Sequence, residues 1–159
     1  MPSLLTLLPL AAALLRPVTA QTSGTFTFLT YNVAGLPPIF NDNNVPGDKG
    51  TNANTIGSKL SEGNFDVAHL QEDFNYHAYI YATDTHPYRT PTTGGVPFGS
   101  GLNTVANYPW ADGSFKQVKW DKCNLNSGDC LTPKGFSYMR LQIAPGVEVD
   151  LINLHADAG

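Results

Sequence analysis

Charge is scarce in this sequence. Only 14% of its 159 residues are Asp, Glu, Lys or Arg, and nine basic residues face thirteen acidic ones, for a net charge of −4. The basic residues form no run or stripe. A protein that grips a nucleic-acid duplex by neutralising its phosphates would show one, so that mode of binding is disfavoured. A metal ion could still supply positive charge in its place. Cysteine is nearly absent. Cys123 and Cys130 have no His or further Cys near them in sequence, which argues against a zinc site. Beyond residue 20 no apolar run is long enough to cross a bilayer. Repeats and low-complexity tracts are missing too, which excludes a fibre. No Asn-x-Ser/Thr sequon occurs, so glycosylation says nothing about the compartment.

Apolar and turn-forming residues are abundant: 42% are hydrophobic, with 15 Gly and 12 Pro. That composition suits one globular domain with a real core and many turns between short strands. Residues 1–20 read as a secretory signal peptide. Residues 4–15 are almost wholly apolar, and Val18-Thr19-Ala20 places small residues before a cut at Gln21. The segment has no Lys or Arg ahead of its apolar run, so the free amine supplies that charge alone. The run is too short for a transmembrane anchor, and Arg16-Pro17 ends it. The expected location is therefore extracellular. There an even cysteine count favours a Cys123–Cys130 disulfide over two free thiols.

Residues 25–33 alternate Thr with aromatic and apolar residues and read as a strand. A Pro-, Asn- and Gly-loaded loop follows over residues 37–52. Asn54 can cap a short helix through Ser61, with Ile56 and Leu60 on one face. Residues 65–71 read as a buried strand that ends at Glu72, and residues 74–81 as an aromatic helix. Residues 84–101 form a long irregular stretch, of the kind that is usually functional or mobile. Residues 101–108, 114–120, 135–143 and 147–155 read as strands. In the last, Val147, Val149, Leu151, Asn153 and His155 share one face, and the strand looks central.

Three polar residues stand at strand ends: Asn32, Glu72 and His155. A carboxylate suits a hard divalent cation such as Mg²⁺, which keeps most of its waters. An amide can orient a phosphate oxygen or a carboxylate. A histidine can hydrogen-bond a phosphoryl oxygen as charge develops on it. Taken singly, each has a plainer reading: Asn32 as a turn residue, Glu72 as a solvated strand end, His155 as a structural histidine.

The surrounding words change that balance. Phe28-Leu-Thr-Tyr-Asn-Val-Ala-Gly-Leu-Pro37 resembles the opening strand of the endonuclease/exonuclease/phosphatase superfamily. Phe65-Asp-Val-Ala-His-Leu-Gln-Glu72 resembles its metal-binding strand, and Leu151-Ile-Asn-Leu-His155 its Thr/Asn-x-His strand. Order and spacing agree, and the resemblance covers nearly all of residues 25–159. Within the superfamily, Asp129-Cys130-Leu-Thr-Pro-Lys134-Gly-Phe136 resembles a segment of secreted bacterial sphingomyelinases, with the 99–102 turn fitting a Gly-containing start to a strand.

The resemblance implies an α/β fold, strand-rich, as a partial four-layer α/β/β/α sandwich of the DNase-I-like kind. It implies the N-terminal portion of the enzyme domain at 21–159, after the signal peptide read at 1–20. Glu72 matches the Mg²⁺-binding glutamate, and Mg²⁺ or another divalent cation is the expected cofactor. Asn32 matches an asparagine that contacts the metal region and the phosphate, and His155 the first of two phosphate-binding histidines. Arg140 is a further candidate substrate contact. The chemistry would be attack of a metal-activated water on a phosphodiester. The expected substrate carries a lipid head group rather than nucleic acid, with peripheral contact to a membrane surface.

The superfamily's site is completed by an Asp-x-Asn strand and a late Asp-His pair, and this chain has no counterpart to them. A complete sandwich takes roughly 200–250 residues. The chain is therefore expected to be a weakly active or inactive portion of a phosphodiesterase. Two rivals stand beside this reading. One is a secreted DNase- or RNase-like nuclease. The other is a non-catalytic secreted binding remnant that uses surface aromatics such as Tyr76, Tyr79 and Tyr81.

Overall fold

A computed structural model describes residues 23–92, 99–125 and 129–157. The expected signal peptide lies outside these residues, as do residues 93–98 of the long irregular stretch.

β1 (Phe28–Asn32) and β2 (Val67–Gln71) pair in parallel, in register from Phe28↔Val67 to Asn32↔Gln71. Parallel neighbours need a crossover, and α1 (Lys49–Gly63) supplies it. The helix starts five residues before the Asn54 that the sequence suggested. Asp48 is the actual N-cap: its Oδ1 accepts from Thr51 N at 2.7 Å and from Thr51 Oγ1 at 2.9 Å. The first turn, Lys49-Gly50-Thr51-Asn52, carries no apolar period and three poor helix formers, so it does not read as helical. Its Lys49 and Gly50 are nevertheless buried. The helix ends at Asn64, a left-handed cap whose N–H donates to Leu60 O at 3.0 Å.

α2 (His77–Thr83) packs against α1. Gly57 permits the approach, since a Cβ there would lie 2.2 Å from Ile80 O. β3 (Tyr88–Arg89) and β4 (Asn103–Ala106) complete a mixed four-stranded sheet in the order β1-β2-β4-β3. β5 (Lys116–Lys119), β6 (Gly135–Ala144) and β7 (Val147–His155) form an antiparallel sheet in that order. Cys123 and Cys130 are joined by a disulfide in the connection between β5 and β6.

Side-chain alternation along β2 feeds two cores. Ala68 and Leu70 join Ala53, Leu60, Ile80 and Val105 on the helix side. Val67 points the other way and joins Ala106, Met139, Leu141 and Leu151 between the sheets. The layers are therefore helices, mixed sheet, antiparallel sheet. Tyr76 and Tyr81 pack against the helix-side core, and of the three tyrosines expected at the surface only Tyr79 is strongly exposed. β7 alternates as expected, with Leu151 and Asn153 buried. Among the described residues it is an edge strand rather than a central one.

Candidate active site

The parallel register brings the ends of β1 and β2 level, so Asn32 pairs with Gln71 and Glu72 follows at once. β7 belongs to the other sheet, yet its last residue arrives at the same rim. His155 Nε2 lies 3.8 Å from Glu72 Oε1, and the two side chains are only 12% and 19% accessible. The strand ends Asn32, Glu72 and His155 thus converge.

Glu72 adopts a left-handed backbone, φ +58°, which is uncommon for a residue with a side chain. Such a conformation costs on the order of 1–3 kcal/mol and persists only when its surroundings impose it. Here two glycines impose it. Gly35 N donates to Glu72 O at 2.9 Å, and a Cβ on Gly35 would lie 2.3 Å from that oxygen. Gly101 O accepts from Asp73 N at 2.9 Å, and a Cβ on Gly101 would stand 3.0 Å from Glu72 Cα. The turn aims the carboxylate along the rim, where Oε2 accepts from Asn43 Nδ2 at 3.3 Å. Asn32 Oδ1 accepts from Ala34 N at 2.9 Å, so the asparagine does shape a turn. An amide oxygen has two lone pairs, and that bond takes one. Beside Asn32 a cleft of about 370 Å³ opens, with the buried Lys49 in its wall. Lys49 Nζ donates to Ala34 O at 2.6 Å.

A buried polar bridge sets the spacing between the sheets. Asn153 is 1% exposed and stands two residues before His155 on the same face of β7. Its Nδ2 donates to Leu70 O at 3.0 Å and to Asn103 O at 2.9 Å. Its Oδ1 accepts from Gln71 Nε2 at 2.6 Å, and that Nε2 also reaches Thr30 Oγ1 at 3.1 Å. One side chain on β7 is therefore tied to β2 and β4 directly, and to β1 through Gln71. Asn103 in turn donates from Nδ2 to Asp73 Oδ2 at 2.6 Å. Burial raises the Asp73 pKa, against the lowering effect of the Asn103 bond and of the His77 charge.

The other side of His155 is also held. His155 pairs with Gly135, and Trp120 Nε1 donates to its carbonyl at 3.1 Å. Gly135 is required there, because a Cβ would fall 1.9 Å from Val118 O on β5. The cysteine-containing segment that leads into Gly135-Phe136 thus ends beside His155. Arg140 is not brought to this rim. It sits five residues along β6 from Gly135, roughly 17 Å at strand spacing. It forms a bidentate pair with Asp150, at 2.6 Å and 2.9 Å, and approaches Glu148 at 3.6 Å. Asp150 is held well below the usual carboxylate range by the hydrogen bonds from Arg140 and Tyr138.

The oxygen donors of Glu72 and Asn32 match a hard cation that keeps several waters and takes one or two carboxylates from the protein. Among the described residues, no group of three or more His, Cys, Asp and Glu side chains forms a fuller metal cage. The sequence did not single out Gln71, Asn103 or Asn43 as supports of the site. Asn153 carried a signal, since its alternating position marks it as inward-facing and so as a buried amide that needs partners.

No family model matches the chain. It is 35% identical over 144 residues to proteins named sphingomyelinase from Mycobacterium bovis and Mycobacterium tuberculosis. The match takes in 86% of this chain but spans only 28% of the length of those relatives. Among solved structures, a beta hairpin deletion mutant of beta toxin from Staphylococcus aureus superposes with a TM-score of 0.63 at 20% identity. That match covers 82% of this chain and 51% of the toxin chain. An endonuclease/exonuclease/phosphatase family protein from Leptotrichia buccalis gives 0.53 at 10% identity, over 84% of this chain and 55% of the other. A humanized D. rerio TDP2 gives 0.53 at 13% identity, over 84% and 48%.

Proposed function

We propose, for a chain that has the DNase-I-like fold of the endonuclease/exonuclease/phosphatase superfamily and is homologous to sphingomyelinases, that it carries one side of a divalent-metal-dependent phosphodiesterase site. The substrate is a lipid phosphodiester of the sphingomyelin kind. The observation that carries this reading is the approach of His155 to Glu72, 3.8 Å apart, at a rim shared with Asn32.

Glu72 is the carboxylate that would hold Mg²⁺, with Asn32 as its amide neighbour. The cation, when bound, lowers the pKa of a coordinated water and offsets charge on phosphate oxygens. His155 donates a hydrogen bond to a phosphoryl oxygen as negative charge builds on it. Asn153 and Trp120 keep the imidazole at the rim, and the two glycines keep the carboxylate there. Residues 1–20 act as a signal peptide, residues 21–159 as a portion of the enzyme domain, and the protein is extracellular. The Cys123–Cys130 disulfide supports that location, because such bonds persist in oxidising compartments.

The test is an assay of the full chain with Mg²⁺ against sphingomyelin vesicles, plasmid DNA and a chromogenic phosphodiester. Only weak hydrolysis is expected from this chain alone, confined to the lipid, because among the described residues no group of three or more His, Cys, Asp and Glu side chains surrounds Glu72. Cleavage of DNA in preference to lipid would replace this reading with a nuclease. Mg²⁺ binding by calorimetry should disappear in Glu72→Gln, and unchanged binding would remove Glu72 from its role.

A further inference from the structure

The segment between β1 and α1 carries two large apolar side chains that face solvent. Ile39 is 87% exposed and Phe40 57%. Their loop is braced rather than loose. Phe40 N and Asn41 N both donate to Pro37 O, at 2.9 Å and 3.2 Å. Asn41 Oδ1 accepts from Asn43 N at 2.8 Å, and Asp42 Oδ1 from Asn44 N at 2.9 Å. The same loop reaches the candidate site, because Asn43 donates to Glu72 Oε2. The result is a fixed, convex apolar knob tied at its base to the catalytic rim.

A convex knob of two side chains needs a partner that yields around it. The boundary between head groups and acyl chains of a bilayer does so, and it takes large apolar side chains readily. Charge narrows the kind of bilayer. Residues 36–47 contain Asp42 and no Lys or Arg, and the chain as a whole is acidic. An anionic surface would repel such a loop, whereas a zwitterionic surface would not. The outer face of the antiparallel sheet, with Val118, Ile152 and Leu154 exposed, is a different feature, carried on β5 and β7 rather than on the braced loop.

We infer that Ile39 and Phe40 form a wedge that inserts into a zwitterionic, phosphocholine-bearing lipid surface and brings the Glu72–His155 rim to the head-group layer. The choice of lipid rests on the lipid phosphodiesterase reading; the insertion itself rests on the loop. The experiment is co-sedimentation of the full chain with sphingomyelin/phosphatidylcholine vesicles in EDTA, where no hydrolysis is asked for. Binding is expected, with equal strength at low and high salt. Ile39→Ser with Phe40→Ser should lower partitioning by at least about tenfold, since each removes a buried apolar side chain from the membrane phase. Ile152→Ser with Leu154→Ser should leave partitioning unchanged. Far-UV circular dichroism verifies that the variants fold.

The inference is overturned if the full chain does not partition, if the wedge variant binds as the parent does, or if anionic vesicles are preferred in a salt-sensitive way. Self-association that the wedge variant abolishes, without vesicle binding, would assign the knob to a second copy instead. Because no turnover is measured, failure here counts against the wedge alone. Failure of sphingomyelin hydrolysis in the Mg²⁺ assay counts against the proposed activity alone.

Discussion

His69 lies on β2 with its ring edge-on to Phe28 at 5.0 Å and Nδ1 2.8 Å from Thr104 Oγ1. Burial lowers its pKa from 6.5 to about 4, so the folded protein holds it neutral where the unfolded chain would take a proton. The sign follows from linkage. The stabilisation from His69 is complete above pH 6.5 and drains away as pH falls toward about 4. A shift of that size corresponds to about 3 kcal/mol. Urea midpoints measured across that window should fall steeply for the parent and less steeply for His69→Gln. His86 has the opposite sign. Burial opposes its protonation, but hydrogen bonds to Asp84 at 2.6 Å and to Phe65 O at 2.8 Å win, and its pKa is raised. Its contribution is complete below pH 6.5 and is lost as pH rises through the folded pKa. The sequence shows part of the difference, since Asp84 stands two residues before His86, but the burial that lowers the His69 pKa and the Phe65 carbonyl on His86 come from the fold. Asn153 is a stronger test of the site. Asn153→Leu takes one of two acceptors from the Gln71 amide and removes a side-chain donor from two backbone carbonyls. It should cost about 1–3 kcal/mol in denaturant unfolding, and hydrogen exchange should rise at β7 and at the end of β2.

Elements were legible in proportion to how local their causes are. β2 and β7 declare themselves by apolar content and alternation, and α2 by its aromatic run. The start of α1 was hidden, because the Asp48 cap rather than an apolar period begins the helix. Accordingly, Asp48→Ala should lower the melting temperature and fray the first turn, read by amide exchange at Thr51 and Asn52. The pairing of β5 with β6 was hidden too. Gly135 lies at the start of a strand in the sequence, and only the structure shows that its lack of a Cβ lets Val118 approach. Gly135→Ala must push β5 outward and should destabilise by about 1–3 kcal/mol. Weaker protection of the amides in β5 would accompany the loss. Arg140 is a candidate contact only through the resemblance, and the sequence does not show which end of its strand meets the rim. Once Gly135 pairs with His155, Arg140 falls well away from the rim and beside Asp150.

At the scale of the whole molecule, three layers share two cores, and one strand bridges them. The candidate site was legible as three words in the sequence, because each stands at a strand end. Their convergence was not, since it depends on parallel pairing of β1 with β2 and on the Asn153 bridge between sheets. The outer face of the antiparallel sheet keeps Ile152 59% and Leu154 51% exposed, on β7, the edge strand among the described residues. Exposed apolar edges recruit other chains. Ile152→Lys with Leu154→Thr should delay aggregation in light scattering. The urea midpoint should move by no more than about 0.5 kcal/mol in stability, as for other surface changes. A large loss of stability would show that this face is part of the core.

The indole of Trp120 has a use that its hydrogen bond to His155 makes available. The chain has two tryptophans, and the other, Trp110, is set among Tyr88 and Phe115, away from the rim. With Trp110→Phe, all remaining tryptophan emission comes from beside His155. The protein then carries its own optical gauge, whose colour and quenching register whatever ion or lipid arrives at the rim.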